Sequence, residues 1–229
     1  MDSLKVILVL TCGRTGSTLL VEILKSLGMS VGACKNRCEH GKLQQVIRGL
    51  YQRKGCHSVE SIEQSKLWPV AKGWKLDSQE ARTMKTPKNE AIKIFTDETS
   101  NGKTFVYKSP MLFYTMAFWR DVLKEMEIPW GAIISTRDRE TCSSSMDNSW
   151  SGYIGGKGGA KKMYDYFTET APREVTDVPH TTVRFEDLLS DHKSVIAKIG
   201  EDLGIEFLVD DLIMESIASR IKPETVKFT

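Results

Sequence analysis

The chain has 229 residues, enough for one substantial core, and its 40% hydrophobic and 27% charged residues are the proportions of an ordinary globular protein. A formal net charge of +2 is too small to argue for nucleic acid or a membrane surface as partner, so any anion specificity must be local. Five cysteines (Cys12, Cys34, Cys38, Cys56, Cys142), odd in number and scattered, do not make a disulfide framework.

The first apolar run, VILVL at 6–10, leads straight into glycine and arginine. It is too short for a secretory core or a membrane span, so no membrane span is expected. The chain reads as cytoplasmic, or as a soluble piece of something larger, and as one domain over 1–229. Residues 4–11 predict a buried strand from their continuous β-branched and leucine run. Residues 17–27 predict a helix with Leu20, Ile23, Leu24 and Leu27 on one face and Gly28 as its stop. A second helix is predicted over 40–54, on Leu43, Val46, Ile47 and Leu50.

The stretch 55–103 holds Trp68-Pro69, Gly73-Trp74, Thr86-Pro87 and Asn101-Gly102. These breakers predict irregular structure with one or two short helices. Strands follow at 104–108, 130–136 and 180–185, with helices over 110–126, 138–149 and 191–205. The segment 151–162, SGYIGGKGGAKK, carries five glycines and reads as a mobile loop. Strands alternating with helices predict an α/β fold, a mostly parallel sheet covered by helices on both faces.

The junction LTCGRTGSTLL carries the chemistry. A helix N-terminus offers unpaired N–H groups and partial positive charge. Glycines let the backbone approach a phosphate, and hydroxyls add donors. Gly13, Thr15, Gly16, Ser17 and Thr18 supply these, and Arg14 adds a fixed cation. The lysine of the ATP-type loop is missing, and no acidic strand end offers itself to Mg²⁺. The loop therefore predicts a phosphate-like ligand held without a metal. Cys34, Cys38 and His40 lack a second ligand pair at zinc spacing, so reduced thiols are the reading there.

These residues resemble the sulfotransferase family, whose donor is 3′-phosphoadenosine 5′-phosphosulfate (PAPS). GRTGSTLL is similar to that family's 5′-phosphosulfate loop. YKSPMLFYTMAFW (107–119) resembles its lysine–proline segment after the second core strand. IISTRDRETCSSSM (133–146) resembles its 3′-phosphate segment, with Arg137 at the strand end and Ser145 eight residues on. VRFEDLL (183–189) resembles its C-terminal strand–helix segment. The four occur in the family's order between residue 6 and about residue 205.

The resemblance implies a three-layer P-loop-like domain and transfer of a sulfuryl group from PAPS to a hydroxyl or amine, releasing 3′-phosphoadenosine 5′-phosphate (PAP). It implies Arg14 at the 5′-phosphate and bridging oxygen, Lys108 beside the sulfuryl group or the acceptor, and Arg137 with Ser145 at the 3′-phosphate. It implies a base some twenty to twenty-five residues beyond the loop, where Glu39 and His40 stand; His57 is a more distant third. Either Glu39 or His40 alternatively caps the helix that follows. Ser109, Met111 and Phe185 depart from common family residues, Phe185 by losing a tyrosine hydroxyl. The acceptor is expected to be a small molecule or carbohydrate, with Trp68, Trp74, Phe113, Trp119, Trp150 and Tyr153 available to stack on it or to form core. Competing readings are a P-loop nucleotide kinase and a non-catalytic nucleotide-binding protein of the same fold.

Overall fold

The computed structural model describes residues 3–34, 38–53, 78–150 and 158–221. Four parallel strands form its sheet: β1 (Val6–Leu10), β2 (Phe105–Ser109), β3 (Trp130–Thr136) and β4 (His180–Arg184), in the order β2-β1-β3-β4. In register, Leu8 lies between Tyr107 of β2 and Ala132 of β3. Every residue of β1 is buried. Both faces of a parallel sheet are covered, so a central strand needs a continuous apolar run rather than an alternating one.

Val6, Leu8 and Leu10 face one layer of helices, while Ile7 and Val9 face the other. The first layer holds α2 (Gly41–Arg53), α3 (Ser78–Thr83), α4 (Lys85–Thr99), α5 (Met116–Glu125), α6 (Arg139–Trp150) and α7 (Gly159–Thr170). The second holds α1 (Ser17–Ser26), α8 (Phe185–Ser190), α9 (His192–Leu203) and α10 (Asp211–Ile221). The molecule is thus a three-layer α/β structure, as the strand–helix rhythm predicted. Among the described residues no helix is long and apolar enough to cross a membrane.

Phe113 and Trp119 belong to the core, not to an acceptor pocket. Both are fully buried, and Trp119 meets Phe118, Tyr107 and Phe95 edge to face with ring centroids 5.0, 5.2 and 5.8 Å away. Trp68, Trp74, Tyr153 and His57 lie outside the described residues, as do residues 151–157 of the glycine-rich segment; of its remaining two glycines, Gly158 is the N-cap of α7 and Gly159 its first residue.

Several helices differ from expectation. α4 runs for 15 residues through Thr86-Pro87 because Pro87 stands in its first turn, where a missing N–H costs nothing. α7 starts at the end of the glycine run and buries Ala160, Met163 and Phe167. α10 was not anticipated; it buries Ile217 and Ile221 against α1. The segment 110–126 is helical only from 116, after a 3-10 turn over Phe113–Thr115.

Candidate active site

The carboxyl ends of β1, β2, β3 and β4 carry the glycine loop, Lys108, Arg137 and Phe185 respectively. Ligands of open parallel sheets bind at this edge. The chain turns from β1 into α1 through left-handed backbone at Gly13 (φ 91°), Arg14 (φ 59°) and Gly16 (φ 78°). Glycine takes this conformation at little cost, whereas arginine is strained by it. Gly16 is the N-cap of α1 and no side chain caps the helix, leaving its end to an external acceptor. Ser17 opens the helix and is buried; Thr18 is half-buried.

Hydroxyls brace the loop from beneath. Thr11 Oγ1 lies 2.7 Å from Thr15 Oγ1 and accepts the Gly13 N–H at 2.9 Å. Thr15 Oγ1 lies 2.9 Å from Ser135 Oγ at the end of β3. The side chain of Thr15 thus braces the loop against β1 and β3. Thr11 and Ser135 were not singled out in the sequence. Their only signal there is a hydroxyl where an apolar strand ends.

Two buried thiols reach the same carbonyl: Cys12 Sγ and Cys142 Sγ lie 3.7 and 3.5 Å from Gly13 O. Burial, and then the contact with Cys142, push the Cys12 thiol well above its ordinary range. Enclosed against the Gly13 carbonyl, the two thiols act as weak donors.

The predicted 3′-phosphate segment meets the loop directly. Arg14 Nε donates to Ser145 Oγ at 2.9 Å across 131 residues of sequence. Arg137 Nη1 donates to Arg14 O at 3.4 Å, and the Arg137 guanidinium carbon stands 4.8 Å from the centre of the Phe185 ring. Tyr164 of α7 donates its hydroxyl to Arg137 O. Two guanidinium groups, a serine on α6 and an uncapped helix end thus gather at one sheet edge, which suits a ligand with two separated anionic groups.

On the other side of the loop, Lys108 Nζ is 3.2 Å from Glu39 Oε1. Lys108 is 3% exposed and Glu39 24%, so the carboxylate is the part of the pair that solvent and ligand can reach. Glu39 lies close enough to Tyr107 to add to the effect of burial, and both push that phenol well above its ordinary range.

His40 stands apart from this chemistry. It is 2% exposed, its Nε2 is 3.0 Å from Glu98 Oε1, and its Nδ1 accepts the Leu43 N–H at 3.3 Å. These partners place the proton on Nε2 and occupy both ring nitrogens. Its ring also meets Phe105 edge to face at 5.8 Å. Of the two adjacent candidates, Glu39 faces Lys108 and His40 caps α2. Glu98, which holds His40, was missed because it lies 58 residues away inside the unanticipated α4.

Cys34 and Cys38 are half-buried free thiols. Burial pushes Cys34 up to about 11 and raises Cys38 as well. Among the described residues no cluster of His, Cys, Asp and Glu is arranged to hold a metal ion.

Known proteins resemble this chain in family and fold. A family model described as "Sulfotransferase family" matches residues 7–210. The sulfotransferase domain of the Synechococcus PCC 7002 olefin synthase superposes with a TM-score of 0.53 at 17% identity, covering 97% of this chain and 89% of that one. The sulfotransferase domain of the curacin biosynthetic pathway gives a TM-score of 0.49 at 14% identity, covering 93% and 77%. Retinol dehydratase in complex with androsterone and PAP gives 0.38 at 14%, covering 98% and 66%. No curated protein matches the sequence.

Proposed function

The chain belongs to the sulfotransferase family, and from that premise we propose that it moves a sulfuryl group from PAPS to a hydroxyl or amine of a small molecule or carbohydrate, releasing PAP. The observation that carries this reading is the bond from Arg14 Nε to Ser145 Oγ. It brings the glycine loop and the arginine–serine segment within one side chain's length. A nucleotide with both a 5′-phosphosulfate and a 3′-phosphate is the ligand such a pair of anion sites fits.

The cradle suits the group. Gly13 and Gly16 have left-handed backbones, α1 has no side-chain cap, and Ser17 and Thr18 open its first turn. When bound, PAPS supplies an activated sulfuryl group whose leaving group is a phosphate oxygen. Arg14 stands where positive charge is needed beside the 5′-phosphate. Arg137 and Ser145 hold the 3′-phosphate, and Lys108 offers charge and donors to the transferring group. Glu39 takes the acceptor's proton as its oxygen or nitrogen attacks, which needs hydrogen-bond reach to that proton. Its partly exposed carboxylate beside buried Lys108 supports this assignment. We read residues 1–229 as one domain, acting in the cytoplasm and without a metal.

Calorimetric titration with PAP, 5′-AMP and ATP, with and without Mg²⁺, tests the reading. Metal-independent binding of PAP well above 5′-AMP is expected. Preference for Mg-ATP would overturn the PAPS reading of the site. Glu39→Gln separates enzyme from non-catalytic binder: turnover should fall by about 10²–10⁴ with PAP affinity kept. Unchanged turnover would remove Glu39 from the mechanism.

A further inference from the structure

We propose that Phe185 is a positioning residue through which the site selects a nucleotide bearing a 3′-phosphate, because its ring sets the Arg137 guanidinium against the glycine loop. This rests on the PAPS reading above and adds a residue to it. Phe185 is the first residue of α8, directly after β4, and is 5% exposed. One part of its ring fills the space beside Gly16: a Cβ built on that glycine would lie 2.0 Å from Phe185 Cδ2 and 2.6 Å from Cε2. Another part receives Arg137, whose guanidinium carbon is 4.8 Å from the ring centre. The ring is therefore wedged between the loop that takes the 5′ end and the arginine that takes the 3′ end.

The consequence is electrostatic and entropic. A guanidinium over an aromatic face is attracted by the ring quadrupole. Its long side chain is also held near one arrangement before ligand arrives, so less freedom is lost on binding. A phenylalanine supplies that face as well as a tyrosine does. The missing hydroxyl thus costs this function nothing.

The segment carrying Phe185 has other anchors. Glu186 Oε1 accepts the Asp138 N–H at 2.9 Å, and Thr136 Oγ1 donates to Val183 O at 3.4 Å. Removing the aromatic face should leave the ends of β3 and β4 joined.

The test is calorimetric titration of the full chain, as wild type, Phe185→Tyr and Phe185→Leu, with PAP and with 5′-AMP. Phe185→Leu keeps apolar bulk and removes the π face. It should weaken PAP by about threefold to thirtyfold while 5′-AMP stays within about twofold. Phe185→Tyr should match wild type for both. Equal weakening of the two nucleotides by Phe185→Leu, or no weakening of PAP, overturns the proposal and leaves the ring as packing alone. Wild type that does not separate PAP from 5′-AMP overturns the PAPS reading itself, and this inference with it. Should Phe185→Leu fail to fold by circular dichroism, Phe185→Met is judged by the same comparison.

Discussion

Two glycines bracket α1, and their left-handed backbones have different consequences. Gly28 follows the helix at φ 91° with open space where a Cβ would stand. Gly16 precedes it at φ 78°, with Phe185 Cδ2 2.0 Å from that point. Gly28→Ala meets only the backbone penalty of about 1–2 kcal/mol and should leave nucleotide binding untouched. Gly16→Ala adds overpacking to that penalty, for a total of roughly 2–5 kcal/mol, and displaces either the loop or the ring. Urea denaturation and PAP titration of both variants check the contrast. A Gly16→Ala variant that binds PAP as tightly as Gly28→Ala would show that the loop tolerates the extra carbon. The glycines were legible in the sequence as a loop signal, but the reason for Gly16 was not. It lies in a ring 169 positions further along the chain.

At the scale of elements, His40 connects three pieces: it accepts from Leu43 at the start of α2, bonds Glu98 of α4 and touches Phe105 of β2. His40→Ala removes a cap, a hydrogen bond and a buried ring together. A loss of about 2–4 kcal/mol is expected, read as a lower midpoint in urea. Glu39, the residue before it, would lose its anchored neighbour, so turnover should fall too, with PAP affinity kept. An unchanged midpoint would return His40 to the list of groups free to act in catalysis. This joint was invisible in the sequence because α4 was read as broken at Thr86-Pro87, and without α4 Glu98 has no place. The four strands and α1, α2, α6 and α9 were legible because their apolar periodicity is local. Arg14 with Ser145, and Lys108 with Glu39, are contacts across 131 and 69 residues. The resemblance put them in one site, but only the folded sheet fixes which touches which. α7 and α10 were missed for a related reason: glycines mask the start of one, and a mixed polar face blurs the other.

For the molecule as a whole, surface carboxylates tie neighbouring helices and cap their ends, and this fixes how acid acts. Asp165 of α7 takes Arg139 of α6 at 2.6 and 2.5 Å, and Lys161 reaches back to Glu140 at 2.5 Å. Asp177 takes Arg120 of α5 at 2.8 and 2.5 Å. Asp138 caps α6 through the Thr141 N–H at 2.9 Å, and Asp191 caps α9 through the Ser194 N–H at 3.1 Å. Hydrogen bonds from these partners hold Asp138, Glu140, Asp165, Asp177 and Asp191 below the ordinary carboxylate range. A carboxylate whose folded pKa is depressed adds stability above its unfolded pKa, about 4, and loses it as pH falls through the lower folded value. The thermal midpoint should therefore be level from neutral pH to about 5 and fall below about 4. The sites are exposed, so each contributes little. Asp177→Asn should cost about 0.5 kcal/mol at neutral pH and make the acid fall shallower. A midpoint that rises on acidification, or an Asp177→Asn variant with the same acid slope as wild type, would contradict this account. The Glu39–Lys108 pair sits outside that surface network, so activity and stability can be separated by mutation. A variant that flattens the acid limb without changing turnover would place the two in different parts of the molecule.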